Sequence, residues 1–147
     1  MAAERIIFVF SVIGILLSGY LTYVHYAPEQ LDDSFCNFSD FVSCSTVNSS
    51  SYATFFGMPV ALIGVFGFLL LGVLSLGKVK YHRVLLFYFS LGALLFMLYL
   101  LIIELFVLKA ICLYCVFTLI DILLIFLVSA VYFGRESVTF VSEIKLE

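Results

Sequence analysis

The sequence predicts an all-α membrane protein, a four-transmembrane-helix bundle with an extracytoplasmic cap loop. Three observations carry this. The 147 residues are 65% hydrophobic and 12% charged, with a mean hydropathy of +1.25. A soluble domain is nearer half apolar and a quarter charged. Four apolar runs, at about 6–26, 57–76, 84–108 and 110–133, each approach or exceed the roughly 20 residues that cross a bilayer. Six of the seven Lys and Arg (Arg5, Lys78, Lys80, Arg83, Arg135 and Lys145) then fall on one side of the membrane. That side is cytoplasmic by the positive-inside rule, so both termini are expected there. The runs fill most of the chain, so residues 1–147 read as one membrane domain. The net charge of −3 gives no reason to expect nucleic-acid binding.

The first span, Ile6–Tyr26, is longer than a signal-peptide core and lacks a small-x-small cleavage site. Gly14, Ser18 and Gly19 offer close helix contact, and Tyr20, Tyr23, His25 and Tyr26 close the span as interfacial aromatics. Pro28 ends helical continuation. The outer loop, 27–56, carries Glu29, Asp32, Asp33 and Asp40 and no Lys or Arg. Within it, seven residues separate Cys36 from Cys44, which suits a small loop closed by a disulfide or one able to open and move. Asn37-Phe-Ser39 and Asn48-Ser-Ser50 fit glycosylation sequons. Ser45–Ser51 is rich in capping residues, and Tyr52–Phe56 reads as a short interfacial helix leading into span two. Pro59 is expected in the first turn of that span, where its missing N–H costs nothing. Gly64, Gly67 and Gly72 again read as helix contacts.

Span three is interrupted only by Glu104, and span four carries Asp121. An ionisable residue in a span is by default a functional hypothesis. Glu104 lies near the outer end, where it either snorkels to water or donates a proton to a reduced acceptor. Asp121 lies about 14 Å along the helix from Cys112, at 1.5 Å per residue. Its register turns it away from that cysteine, which suits helix packing or a proton path. The tail from Arg135 is mixed and reads as short helix or disorder.

Cys112-x-x-Cys115 opens span four, so two thiols sit on one face of a helix start, where the partial positive charge of the macrodipole suits thiol chemistry. All four cysteines fall on the outer side, where disulfides persist. Four cysteines allow three pairings. Cys36–Cys44 and Cys112–Cys115, with exchange between them, are the natural ones. The motif alone also fits half a zinc site or a structural disulfide. A hydrophobic span start is a poor place for a charged zinc–thiolate cluster, so no metal is expected. A disulfide closing so short a loop adds little stability. Two dithiols on one face make a relay by thiol–disulfide exchange. Its electrons need a lipophilic two-electron sink, a quinone. No nucleotide-binding glycine motif is present.

Several motifs together resemble the vitamin K epoxide reductase family of membrane thiol oxidoreductases. They are Cys36-x7-Cys44, Val42-Ser-Cys44-Ser-x-Val47, Ser49-Ser50-x-Tyr52, Phe56-Gly57-Met-Pro59 and Phe106-Val-Leu-x-x-x-Cys112-x-x-Cys115. The Gly-Met-Pro opening of span two looks like the prokaryotic branch, whose members often carry a fused thioredoxin-like domain. The resemblance implies that Cys36 exchanges with a separate extracytoplasmic thioredoxin-like partner, that Cys44 attacks Cys112, and that Cys115 passes electrons to a quinone. That quinone would be menaquinone, ubiquinone or a vitamin K-like molecule. Ser50, Tyr52 and Ala53 would belong to the cap over it. Phe56, Val60, Leu100, Glu104, Leu108, Tyr114 and Leu119 would line its pocket. Animal enzymes use an Asn and a Tyr to hold the quinone carbonyls where this sequence has Ala53 and Leu119. Quinone reduction is therefore expected over epoxide reduction. The chain is expected to work as a monomer in lipid. The alternatives are a vitamin K epoxide reductase in the strict sense and a non-catalytic tetraspan protein with structural disulfides.

Overall fold

An unbroken apolar run with one early Glu–Arg pair folds as one long helix, α1, Ala2–Tyr26. The computed structural model describes residues 2–27, 36, 37, 39, 41–78 and 81–144, with side chains as far as Arg135. Pro28 and the acidic Glu29, Asp32, Asp33 and Asp40 lie outside the described residues. After the loop cysteines come a one-turn helix, α2, Cys44–Asn48, and a 3₁₀ turn, Ser51–Ala53. A hairpin follows, β1 Thr54–Phe55 and β2 Met58–Pro59, paired Thr54 to Pro59 and Phe55 to Met58. Then come α3, Val60–Ser75, α4, His82–Ile103, a π-helical turn, Glu104–Leu108, and α5, Leu113–Ile144.

Three of these stretches, Ala2–Tyr26, His82–Leu108 and Leu113–Arg135, are long and apolar enough to cross a membrane, and α3 is a shorter apolar helix. Leu16, Phe66, Tyr88 and Val131 are among many large apolar side chains that are more than half exposed. A chain that turns so much aliphatic and aromatic surface outward has lipid as its solvent.

The element bounds depart from the sequence expectation in four places. Tyr52–Phe56 is not an interfacial helix, because Thr54 and Phe55 pair with Met58 and Pro59 instead. That pairing also moves the start of α3 from Gly57 to Val60, with Pro59 just before the helix. The helix that carries Cys115 begins at Leu113, one residue past Cys112, which is left outside it. At its other end it continues through the tail as far as Ile144.

Small residues set the helix spacing. At Gly14 the Phe68 ring of α3 occupies the space a Cβ would need. A Cβ on Gly64 would sit 2.9 Å from Ser18 Oγ, and one on Gly72 would sit 3.4 Å from Ser11 Cβ. Where only Ser11 and Ser18 face Gly72 and Gly64, no large side chain separates α1 from α3. Gly19 and Gly67, expected to serve the same purpose, face open space. α4 joins α5 through the buried Ser90 and Ser129 hydroxyls, 2.8 Å apart, and through Phe87 stacked on Phe133. α5 meets α1 at both ends, by Tyr114 against Tyr20 and by the Tyr132 hydroxyl donating to Glu4 at 2.7 Å. The apolar core runs along this contact zone through Ile7, Leu71, Leu86, Ile122 and Ile125.

Candidate functional site

The site is assembled at the end of the bundle where α4 gives way to α5. Lys109 takes a left-handed conformation, φ 51°, and the carbonyl of Glu104 accepts the Ala110 N–H at 3.1 Å. A left-handed residue closing a helix in this way reverses the chain. Ile111 then pairs in parallel with Val42: its N–H donates to the Phe41 carbonyl at 2.8 Å, and its carbonyl accepts from Ser43 N–H at 3.2 Å. Cys112 follows and caps α5. Its Sγ accepts the Cys115 N–H at 3.3 Å, and its carbonyl accepts the Val116 N–H at 3.0 Å. The cysteine side chain thus does the work that a serine or aspartate oxygen does at an ordinary N-cap.

The loop pair is built beside it. Cys36 and Cys44 form a disulfide with Cα atoms 5.5 Å apart, as the spacing led us to expect. Ser43 caps α2 by accepting the Thr46 N–H at 3.3 Å. Asn37 bridges to Ser43 and its Oδ1 accepts from the Ser45 N–H. α2 is fastened to α1 by His25 Nδ1 against the Asn48 carbonyl, 2.9 Å, and by Asn48 Nδ2 donating to the Leu21 carbonyl, 3.4 Å. The side-chain nitrogen of one sequon asparagine is therefore engaged inside the fold.

The Sγ atoms of Cys36, Cys44 and Cys112 all lie within 4.8 Å of one another and are all buried. Cys112 and Cys115 are free, so the second pairing expected from the sequence is not made in this state. Sulfurs this close need only a small movement for one to attack the other in line. They are also metal-type ligands, but with Cys36 and Cys44 joined only Cys112 offers a thiol.

A cavity of about 380 Å³ opens beside the Cys-x-x-Cys and runs between α3 and α4. Cys112 and Cys115 stand in its wall, as do Ser50, Tyr52, Ala53, Val60, Leu100, Glu104, Leu108 and Leu119. Eight of the ten residues assigned to a pocket by resemblance therefore face one space. Phe56 and Tyr114 do not. Phe56 sits at the tip of the hairpin, 88% exposed and in edge contact with Phe55. Tyr114 turns to α1, where its ring packs 5.1 Å from that of Tyr20. Past Leu100 the wall is made by Gly67, which the sequence reading took for a helix contact, and by Tyr88, Phe89, Gly92 and Phe96, which it did not single out. A glycine facing open space and a glycine facing a helix look alike in sequence.

Glu104 is 4% exposed and does not snorkel. Its Oε2 accepts the Cys112 N–H at 3.2 Å, and it stands in the same cavity wall as Cys115. Asp121 is also buried, away from the cavity wall, and its Oδ2 has no hydrogen-bond partner.

The sequence model of the vitamin K epoxide reductase family matches residues 5–130. The chain belongs to the vitamin K epoxide reductase family. The match runs from the start of α1 to the second half of α5, so it takes in both cysteine pairs and every wall of the cavity. No curated protein matches the chain at a significant level. Family membership and the apolar helices together make this an integral membrane protein, and they point to a thiol oxidoreductase. The clustering of the Cys36, Cys44 and Cys112 sulfurs is the arrangement such chemistry requires.

Proposed function

We propose that this protein is a quinone-dependent thiol–disulfide oxidoreductase that drives disulfide formation outside the cytoplasm. A thioredoxin-like partner reduces Cys36–Cys44. A loop thiolate, Cys44, attacks the oxidised Cys112–Cys115 pair at Cys112, and the electrons come to rest on Cys112 and Cys115. The structure, with Cys36–Cys44 joined and both other thiols free, has the bonding of the relay after that step.

The single observation that carries this is the position of Cys112, within 4.8 Å of both loop sulfurs and in the wall of an apolar cavity that also holds Cys115. The cavity volume, about 380 Å³, falls within the roughly 300–1,000 Å³ usual for small-molecule sites. Its walls suit a lipophilic ring. Leu100, Val60, Ala53 and Leu119 would hold that ring, with Cys115 and Glu104 as polar groups at one end. A bound quinone would supply a two-electron acceptor there. Ala53 and Leu119, apolar where animal relatives use Asn and Tyr, support quinone over epoxide as substrate.

In this reading four helices cross the membrane, with the cysteines on the outer side and both termini inside. α3 has 16 residues and is about 24 Å long at 1.5 Å per residue, somewhat short of a hydrocarbon core of roughly 30 Å. The β1–β2 hairpin and Leu76 make up the remainder. The chain acts as a monomer, one membrane domain over residues 1–147. The test is anaerobic turnover of the purified full chain in lipid, with a reduced thioredoxin-like protein as donor and ubiquinone, menaquinone or vitamin K epoxide as acceptor. Quinone reduction that Cys112→Ala and Cys115→Ala both abolish is the expected result. Reduction of the epoxide at a comparable rate, or full activity in all four single Cys→Ala variants, would refute it.

A further inference from the structure

Beside the two free thiols, in the same cavity wall, stands one carboxyl group, and its surroundings are those of a proton carrier. Glu104 is 4% exposed, stands in the cavity wall with Cys112 and Cys115, and holds the Cys112 N–H at 3.2 Å. No salt bridge to it is formed among the described residues. A buried carboxyl kept without a cation, beside a thiol that must lose its proton, is placed for acid–base work. The local backbone makes the placement. The π-helical turn at Glu104–Leu108 adds a residue to the helix and re-aims the side chains at its end, a distortion that recurs at functional sites.

We infer that Glu104 is a catalytic acid–base group which moves the Cys112 and Cys115 thiol protons to the quinone oxygens. The inference rests on the quinone reading above. In the net reaction two S–H bonds break and the Cys112–Cys115 S–S bond forms. The two sulfurs give up two electrons, and the quinone gains those electrons and two protons. The thiol protons alone balance the equation, so no proton has to enter from water. Glu104 takes the Cys115 proton as that sulfur engages the acceptor and hands it to the nearer oxygen. It then does the same for Cys112 as that sulfur closes on Cys115. The Cys112 N–H steadies the carboxylate form between transfers. A closed exchange of this kind explains why the carboxyl faces the cavity and the thiols rather than the membrane surface.

Glu104→Gln separates this role from a structural one, since the amide oxygen can still accept the Cys112 N–H. The full chain in nanodiscs, reduced and mixed anaerobically with a short-chain quinone, reports the step as a single-turnover loss of quinone absorbance. Glu104→Gln is expected to slow it about 10²–10³-fold, the usual worth of a positioned acid–base group. Glu104→Asp, which keeps a carboxyl, should recover part of that rate. The expected exchange between Cys44 and Cys112, followed by alkylation, should be unchanged in both variants. A Glu104→Gln rate within threefold of the unsubstituted chain overturns the inference, and so does Glu104→Asp as slow as Glu104→Gln. If the unsubstituted chain itself fails to reduce quinone, the quinone reading falls and this inference with it.

Discussion

The backbone N–H of Ile111 donates a 2.8 Å hydrogen bond to the carbonyl of Phe41. This bond and its companion from Ser43 N–H to Ile111 O fix the segment before Cys44 against the segment before Cys112. Side-chain sulfurs meet here because two backbones are zipped one residue upstream.

Ile111→Pro removes that N–H and disfavours the helical region for Ala110. One net hydrogen bond is worth about 0.5–1.5 kcal/mol. Transfer between the two cysteine pairs should therefore slow roughly three- to tenfold. Rapid alkylation followed by peptide mass mapping measures it. Ile111→Val keeps the N–H and should match the unsubstituted chain.

Cys36 and Cys44 both lie near Cys112, so distance alone does not choose the attacking thiol. The clamp does, because Val42 is paired to Ile111 and lies two residues from Cys44. The Cys36→Ser, Cys115→Ser double variant should accumulate a Cys44–Cys112 disulfide. The Cys44→Ser, Cys115→Ser variant should accumulate much less Cys36–Cys112. Equal yields in peptide maps would assign the exchange to either thiol.

Much of this was legible in the sequence, and the omissions have physical causes. The apolar runs and the cysteine spacings report hydrophobic period and chain connectivity, so the helices and the Cys36–Cys44 bond could be anticipated. Hydropathy is blind to backbone pairing. It ran span two back to Gly57 because Met58 and Pro59 are apolar, although they belong to a hairpin. It is equally blind to the π turn, which lies in an uninterrupted apolar stretch and decides where Glu104 points. Residues carried over by resemblance reached the cavity when their backbone did, as with Ala53 and Leu119. Tyr114 failed because its helical register faces α1.

Gly14 of α1 packs against α3 with the Phe68 ring in the space of a Cβ. Gly14→Ala forces that ring or the helix to move, and overpacking of this kind costs about 1–3 kcal/mol. Thermal unfolding in detergent should show a clearly lowered midpoint. Gly19→Ala, with nothing within 4 Å of the added methyl, should leave it within a degree or so of the parent.

Asn48 and His25 latch α2 onto α1, and α2 leads into the Ser50–Ala53 side of the cavity. Asn48→Ala removes one of these bonds and should loosen the cap without touching a sulfur. At about 0.5–1.5 kcal/mol, the quinone KM should rise roughly three- to tenfold with kcat little changed. Amide hydrogen exchange should quicken across residues 44–53. His25→Ala should act in the same direction, and unaltered exchange in both variants would show that the latch is not what holds the cap.

Phe56 holds a left-handed conformation, φ 51°, beside Gly57 at φ 80°, so two positive φ values stand at the centre of a two-residue hairpin turn. Such a turn favours Asn-Gly, and a bulky residue in its first position is strained. Phe56→Asn relieves the strain and should raise stability by roughly 0.5–1 kcal/mol in thermal unfolding. Because Phe56 is 88% exposed and outside the cavity wall, the quinone KM should not change. Ala53→Phe, which fills the cavity from its cap side, should raise that KM more than tenfold while leaving exchange between the cysteine pairs intact. A large KM effect from Phe56→Asn with none from Ala53→Phe would move the quinone from the cavity to the hairpin tip.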